Sequence, residues 1–210
     1  MVEPEVAYMD LEGDMELAEG LVQAIVSHVL AHCRRELALI ERDVAPLEAV
    51  VAGPFPRISY SEAVDILKGA GVDFNWGDDF GGADETIISA KFERPVIVHH
   101  YPTEIKPFYM KRDEQAPETV RNMDILAPEG YGEIIGGGQR EESLEVLEEA
   151  LHKQGLDPAT YGWYLDLRRY GTVPHAGFGL GVERSVAWIC GLPHVRETGA
   201  FPRLPRRLRP

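Results

Sequence analysis

Apolar side chains recur every three or four residues along one stretch near the start of the chain, from Asp14 to Cys33. The apolar positions are Ala18, Leu21, Val22, Ile25, Val26, Val29, Leu30 and Cys33. This spacing places them on one side of an α-helix, so the pattern predicts an amphipathic helix that packs against a core. Asp14 is expected to cap its N-terminus, and Arg34 and Arg35 suit the negative end of the helix dipole.

Shorter stretches of the same kind predict five further helices, over residues 61–68, 83–92, 143–154, 158–169 and 181–190. Ser61 is the expected cap of the first of these. Runs rich in β-forming residues predict strands over residues 2–9, 57–60, 95–100, 105–110, 123–126 and 134–135 and after Pro174, with residues 44–59 as a connector that leads into the second strand. Successive strands with helices grouped outside them favour an α+β fold with an antiparallel sheet, in one domain.

Two glycine-rich blocks carry the charged residues that suggest chemistry. The first runs from Gly132 to Arg140 and the second from His175 to Arg184. Glycine lacks a Cβ and lets a ligand approach the backbone closely, although tight strand packing or a bend is the alternative. A carboxylate and two arginines beside such backbone indicate a site for an anion, with a divalent cation. Neither block matches the G-x-G-x-x-G dinucleotide fingerprint or the P-loop, so a nucleotide site here would belong to neither class.

Arg184 breaks a local rule. It falls in the first turn of the helix predicted from Gly181, where the helix dipole disfavours a cation. Residues that break such rules are often functional. A bound phosphate would explain the arginine, because helix N-termini and guanidinium groups both bind anions. The alternative is a surface ion pair with Glu183 or another acid, which contributes little free energy.

Glu133 and Arg140 lie seven residues apart in the first block. On a straight strand this odd spacing places them on opposite faces of the sheet. A bulge in the triple glycine from Gly136 to Gly138 would restore a common face. The spacing alone leaves both arrangements open.

Composition limits the partners that the whole chain can bind. Its 210 residues can bury one sizeable core, and its formal net charge is -14. An acidic chain is a poor general binder of nucleic acid, so contact with RNA would need a local basic patch. The C-terminal arginines form one candidate, the alternative being a solubilising tail: Arg196, Arg203, Arg206, Arg207 and Arg209. The two cysteines form no metal-binding pattern, and neither a signal peptide nor a membrane-spanning run is evident, so a cytoplasmic protein is expected.

Several segments resemble one family of enzymes. GFGLGVER resembles motif 3 of class II aminoacyl-tRNA synthetases, and MDILAPEGYGEIIGGGQRE resembles the aspartate/asparagine branch of that class. YPTEIKPFYMKR, PHAGFG and RETGAFPR resemble asparaginyl-tRNA synthetases of bacterial type. The resemblance covers essentially the whole chain. It implies an antiparallel sheet flanked by helices that binds ATP in a bent form, activates asparagine to its adenylate, and passes it to the acceptor end of tRNA(Asn).

The resemblance also implies roles for single residues in binding ATP. Arg184 matches the motif 3 arginine that contacts the adenine and the γ-phosphate, and Gly181, Val182 and Glu183 line the same strand-to-helix turn. Glu133 matches the carboxylate that holds Mg²⁺ against the phosphates, in keeping with the preference of Mg²⁺ for hard oxygen ligands. Catalysis in such a site consists mostly of positioning and charge stabilisation.

Two further residues are expected to bind the amino acid. Arg140 resembles the arginine that reads the substrate side chain, where it would donate to the carboxamide oxygen of asparagine. Gly136 stands where relatives often have a serine, so its contribution here would come from the backbone alone.

The chain departs from the family pattern at its start. MVEPEVAYMD resembles the second strand of motif 2, so residues 1–210 are expected to be an N-terminally truncated, C-terminal portion of the catalytic domain, from the second half of motif 2 to motif 3. No anticodon-binding domain is expected, nor the motif 1 helix through which the full-length family forms homodimers. The motif 2 arginine is expected before Met1, so adenylate formation by this chain alone should be impaired. Residues 2–9 should form an exposed sheet edge, and Glu3 and Glu5 face the site only if that strand pairs as expected.

Three alternatives remain at this point. A paralogue such as an ATP-dependent asparagine synthetase would lack the anticodon domain but would still need the motif 2 arginine. A non-catalytic binding module would have no need of Glu133, Arg140 and Arg184 together. An aspartate-specific synthetase is disfavoured by the stretch from IKPFYMKR to GQREE, although the residue that would contact the amide nitrogen is expected before Met1.

Overall fold

A computed structural model describes residues 1–204, 206 and 209. Its strands form one six-stranded sheet in the order β1-β6-β5-β4-β3-β2. The strands are β1 Glu5–Ala7, β2 Arg57–Ser59, β3 Val96–His99, β4 Asn122–Ala127, β5 Gly132–Gln139 and β6 His175–Leu180. Neighbouring strands are antiparallel except β2 and β3, which run parallel. The predicted α+β class is confirmed, but the sheet is mixed rather than wholly antiparallel.

The helices explain the one parallel pair. They are α1 Leu11–His32, α2 Arg34–Leu39, α3 Ala45–Val51, α4 Tyr60–Gly69, α5 Gly82–Ser89, α6 Leu144–Lys153, α7 Gly162–Arg169 and α8 Val182–Cys190. Both α4 and α5 lie between β2 and β3 in the chain, and a crossover of this length is what a parallel connection requires. Short 3-10 turns occupy Thr103–Ile105, Pro158–Tyr161 and Val195–Thr198.

Two predictions of secondary structure were wrong for reasons that involve proline. Residues 105–110 were expected to form a strand, but they begin in a 3-10 turn and continue as a loop with a single bridge from Met110 to Arg140, since Pro107 lacks the N–H that a ladder needs. The connector predicted over residues 44–59 contains α3. Pro46 lies in the first turn of that helix, where the missing N–H would have no helical partner in any case.

The core lies mainly between α1 and one face of the sheet. The predicted apolar stripe of α1 is confirmed, since Ala18, Val22 and Val26 are fully or almost fully buried. Trp188 of α8 and residues of α3 complete this layer. A second cluster places α4 and α5 against the other face near β3, and a third joins α6 to α7. The helices thus leave part of the second face, over β5 and β6, for polar groups.

The start of α1 differs from the prediction by one turn. Asp10 is the N-cap residue, and its Oδ1 accepts a hydrogen bond from the Gly13 N–H at 2.9 Å. Asp14, the predicted cap, is a fully buried residue inside the helix. The helix therefore continues through Gly13, although glycine weakens a helix. The C-terminal end of α1 agrees better with the prediction, because Arg34 Nε donates to the Leu30 carbonyl at 3.1 Å.

The N-cap of α4 is Ser59 rather than the predicted Ser61. The Ser59 hydroxyl accepts a hydrogen bond from the Glu62 N–H, and the Glu62 carboxylate accepts one from the Ser59 N–H. Ser61, the predicted cap, lies inside the helix, where its hydroxyl accepts from the Trp76 indole. We expect Ser59→Ala to lower the free energy of unfolding, measured in urea, by about 1 kcal/mol. Ser61→Ala is the matched control, and a larger loss from that change would contradict the assignment.

Strand β1 lies at one end of the sheet. It pairs with β6, and Val2 forms an additional bridge to Leu180. The exposed edge expected over residues 2–9 is present, although regular pairing covers only Glu5–Ala7. Both cysteines are free thiols. Within the described part of the chain, no helix combines the length and the apolar character that crossing a membrane requires.

Candidate functional site

Glycines line one face of the sheet where β5 and β6 pair; Gly136 and Gly179 are half-buried there, whereas Gly138 and Gly177 are buried. Gly136 pairs with Gly179 across β5 and β6, and Gly138 pairs with Gly177. Residues directly opposite each other in a sheet face the same side. Asp124 of β4 extends the first row, because it pairs with Gly136. We call this strip, from Gly136 and Gly138 to Gly177 and Gly179, the glycine floor.

Two glycines of the first block, Gly137 and Gly138, are required by the packing of the sheet. A Cβ on Gly137 would lie 2.4 Å from Phe178 Cβ and 2.5 Å from the Gly177 carbonyl oxygen. Gly138 has a φ of +153°, and a Cβ there would lie 2.6 Å from the backbone of Arg121. The sequence left two interpretations of the glycines open, close approach of a ligand and tight strand packing. The first fits Gly136, where a Cβ would meet side chains, and the second fits Gly137, where a Cβ would meet backbone.

A bulge brings Glu133 onto the face of the glycine floor. The register between β4 and β5 shifts, so Ile125 pairs with Ile135 whereas Leu126 pairs with Glu133, and Ile134 is the extra residue. Glu133 Oε1 lies 2.7 Å from the position that a Cβ on Gly136 would occupy. Alternation along β5 places Arg140 on this face too. Glu133 and Arg140 thus share one face of the sheet. The bulge that causes this lies at the isoleucines rather than in the triple glycine.

Three carboxylates meet at the Glu133 end. Glu85 of α5 accepts a hydrogen bond from the Glu133 N–H at 3.0 Å, and Asp124 Oδ1 lies 3.2 Å from the Cβ position of Gly136. Burial raises the pKa of Glu133, and the charges of Asp124 and Glu85 raise it further, whereas Lys106 and Arg184 oppose the shift. Lys106 Nζ also forms an ion pair with Asp124 at 2.6 Å. The cluster therefore contains three acidic side chains and two basic ones, Lys106 and Arg184. This excess of negative charge favours the binding of one more cation.

The sequence did not identify three members of this cluster. Asp124 interrupts the buried run of β4, and a lone acid in such a run was the available signal. Lys106 lies in a segment that was predicted as a strand, and Glu85 lies on a helix far away in the chain. Over the described residues, no group of three or more His, Cys, Asp or Glu side chains is arranged to hold a metal ion by itself.

Arg184 lies where the second block predicts it, in the first turn of α8. Gly181 precedes this helix in an extended conformation, and Val182 and Glu183 form its exposed first residues. Arg184 Nη1 donates to the Glu133 carbonyl oxygen at 2.6 Å. In the described part of the chain Arg184 forms no ion pair with Glu183 or with another acid. The described residues thus show no surface pair at Arg184, although its charge lowers the pKa of the nearby Glu85 and Glu133 carboxyl groups.

Arg140 lies at the other end of β5 and holds Glu5 of β1. Its Nε and Nη2 both donate to Glu5 Oε1, at 3.1 Å and 2.5 Å, and its Nη1 lies 3.6 Å from Met110 Sδ. Burial lowers the pKa of Arg140, but the bonds to Glu5 outweigh burial, so that its pKa is raised. Glu3 faces the glycine floor too, with its Cγ 3.9 Å from the Cβ position of Gly179. Both glutamates of the edge strand thus border the site.

Further arginines are concentrated in the C-terminal segment. Arg196 belongs to a 3-10 turn, and Arg203, Arg206 and Arg209 are exposed. Arg207 lies outside the described residues. Contact of this segment with RNA stays a prediction.

Comparison with known proteins agrees with the geometry. The family model for class II tRNA synthetases (D, K and N) matches residues 1–205. An asparagine–tRNA ligase of Sorangium cellulosum is 61% identical over 222 residues, which cover 100% of this chain and 50% of the relative. Asparaginyl-tRNA synthetase from Pyrococcus horikoshii, crystallised with asparaginyl-adenylate, matches with a TM-score of 0.96 at 50% identity over 99% of this chain and 48% of that one. Aspartyl tRNA synthetase from Entamoeba histolytica matches with a TM-score of 0.87 at 28% identity, over 99% of this chain and 44% of that one.

These matches include both glycine blocks and the sheet that brings them together. The chain spans about half the length of the relatives that it matches. The family inferred from the motif segments is confirmed, and the chain belongs to the class II tRNA synthetases of the aspartate, lysine and asparagine group.

Proposed function

We propose that the glycine floor binds ATP and asparagine and forms asparaginyl adenylate for transfer to tRNA(Asn). The observation that carries this proposal is the placement of Arg184 and Arg140 at opposite ends of one strip of glycine backbone, with an acid cluster beside Arg184. Glu133 and Arg140 are separated by seven residues of extended chain, or roughly 20 Å. An aminoacyl adenylate is an elongated ligand with a nucleotide at one end and an amino acid at the other.

ATP is assigned to the Arg184 end. Over the residues that the structure describes, the guanidinium forms no ion pair, and it stands at the N-terminus of α8, where backbone N–H groups also favour an anion. The turn formed by Gly181, Val182 and Glu183 borders the same space and would contact the nucleotide. A γ-phosphate and an adenine held by Arg184 would place the α-phosphate over the glycine floor, where the attacking carboxylate can reach it.

The acid cluster fits Mg²⁺ that arrives with the phosphates. Mg²⁺ commonly binds through one or two carboxylates, water and substrate phosphates rather than in a cage made only of protein. Glu133 and Asp124 provide two carboxylates above Gly136, and their crowding with Glu85 disfavours three unneutralised charges. Bound there, the ion would neutralise charge on the phosphates. A side chain on Gly136 would intrude on Glu133, so its role in binding is confined to the backbone.

Asparagine is assigned to the Arg140 end. Arg140 can donate to the carboxamide oxygen, and Glu5, whose side chain is 51% exposed, can yield part of its contact to the substrate. The α-carboxylate of asparagine would then attack the α-phosphate and release pyrophosphate, with the enzyme contributing position and charge. Identity of 61% to an asparagine–tRNA ligase, against 28% to an aspartyl tRNA synthetase, supports asparagine over aspartate.

The remaining assignments follow from the same family. We assign residues 1–210 to the C-terminal portion of a class II catalytic domain, from the second half of motif 2 to motif 3. The acceptor end of tRNA(Asn) is the expected macromolecular partner.

Calorimetry on this chain tests the proposal, because binding depends on this site alone whereas turnover depends on the whole enzyme. We expect ATP to bind more tightly with Mg²⁺ than without it, and asparagine to bind where aspartate does not. Glu133→Gln should remove most of the Mg²⁺ effect, and Glu149→Gln, on the outer side of α6, is the control. ATP binding that is indifferent to Mg²⁺ in the native chain would contradict the metal assignment.

A further inference from the structure

Asp14 is a buried carboxyl group that the proposed reaction leaves unexplained. Its exposed fraction is 0%, and neither of its oxygens makes a hydrogen bond of good geometry. Buried polar groups are nearly always paired, so an orphaned one calls for an explanation. An isolated buried carboxylate is costly unless it is neutralised by a proton or faces an opposite charge.

The surroundings of Asp14 connect it to the amino-acid end of the site. It lies in α1, which packs directly beneath β5 and β6. The Gly138 N–H, two residues before Arg140 in the chain, favours the ionised carboxylate of Asp14 and so lowers its pKa. The charged groups that face Asp14 are Arg140, which favours ionisation, and Glu5, which opposes it. Burial is the largest effect and raises the pKa of Asp14 to about 7.

We propose that Asp14 is a positioning residue for substrate specificity: its buried charge, acting through Arg140, disfavours an anionic side chain in the amino-acid pocket and so favours asparagine over aspartate. This inference depends on the proposed function of the site. With Asp14 ionised, Arg140 stands between two carboxylates, and the group carries a net negative charge that repels a substrate carboxylate. With Asp14 protonated, Arg140 and Glu5 form a neutral pair, and the repulsion falls. A carboxamide carries no charge and is affected little in either state.

The coupling between Asp14 and a ligand at Arg140 predicts the direction in which ligand affinity changes with pH. An anionic ligand beside Arg140 disfavours the ionised form of Asp14, so it raises the pKa of Asp14. By reciprocity, affinity for that ligand rises as the pH falls through the pKa of Asp14. Preference for asparagine should therefore be greatest above pH 8 and smallest near pH 6. One charge interaction, screened by the high effective dielectric constant near a protein surface, is expected to change the ratio roughly fivefold.

The experiment compares non-hydrolysable sulfamoyl analogues of asparaginyl and aspartyl adenylate by calorimetry at pH 6 and pH 8.5. The ratio of the two affinities cancels the titration of the α-amino group, which both analogues share. In the native chain we expect the preference for the asparaginyl analogue to be about fivefold greater at pH 8.5. In Asp14→Asn the ratio should be independent of pH and should equal the low-pH value. Asp65→Asn, an exposed change of the same charge on α4, should behave as the native chain.

The outcomes separate the two proposals. If neither analogue binds the native chain, the proposed function fails and this inference fails with it. If both bind but Asp14→Asn keeps the native ratio and its pH response, only the inference is overturned. Carboxyl ¹³C NMR of Asp14 gives a second readout that needs no ligand. Arg140→Gln should raise the pKa of Asp14 further, and a pKa of Asp14 near 4, or one that Arg140→Gln leaves unchanged, would overturn the coupling.

Discussion

Replacing Arg184 with alanine is expected to weaken ATP binding by about 10- to 100-fold, which is the range for one charge-assisted hydrogen bond to a phosphate. The side chain is exposed at the start of α8, and its one hydrogen bond within the described chain reaches the Glu133 carbonyl rather than an acid. The change therefore removes a cation from the anion site while leaving the core intact. Calorimetric titration with ATP and Mg²⁺ measures the effect.

Two variants make this test specific. Arg184→Lys keeps the positive charge but loses the planar fork of donors, so its loss of affinity should be intermediate. Arg34→Ala removes an exposed arginine that pairs with Glu48, and it should leave ATP binding unchanged. Native-like circular dichroism for all three variants would exclude unfolding as the cause. Undiminished ATP binding by a folded Arg184→Ala chain would remove Arg184 from the nucleotide site.

Replacing Gly137 with alanine is expected to lower the free energy of unfolding by about 3 kcal/mol, because the added methyl group meets backbone rather than a flexible side chain. The Cβ would lie 2.5 Å from the Gly177 carbonyl oxygen and 2.7 Å from Phe178 Cα, so β5 and β6 would have to separate at the centre of the sheet. Denaturation in urea measures the loss.

The control for this change is another glycine with open space around it. Gly20 lies in α1, and a Cβ on it would meet nothing within 4 Å. Gly20→Ala should stabilise the chain by about 0.5–1 kcal/mol, because alanine favours the helix. Equal stability of Gly137→Ala and Gly20→Ala would contradict the packing described for β5 and β6.

The long periodic elements and the two glycine blocks could be predicted from the sequence, because their signals are local. Periodicity identified α1, and apolar residues at the same spacing identified α8. The resemblance gave Glu133, Arg140 and Arg184 together, although only the fold places them on one face. That placement depends on a bulge at Ile134, and an extra residue in a strand leaves no mark in an apolar run.

The rest of the site depends on pairing between distant segments. Glu5 meets Arg140 across 135 residues of chain, and Glu85 meets Glu133 across 48. Side-chain pairing of this kind follows from sheet order, which local patterns do not determine. The burial of Asp14 could not be predicted from local sequence either. An acid near the start of a helix is typical of a cap. In the structure Asp10 is the cap, and Asp14 is buried beneath the sheet.

One glycine floor is proposed to hold a nucleotide at Arg184 and an amino acid at Arg140. Calorimetric titration of the native chain with the sulfamoyl analogue of asparaginyl adenylate tests it most directly, with Arg184→Ala and Arg140→Gln as single changes at the two ends. We predict binding of one analogue per chain, weakened about tenfold or more by each change. No binding to the folded native chain, or binding that both changes leave intact, would contradict the claim.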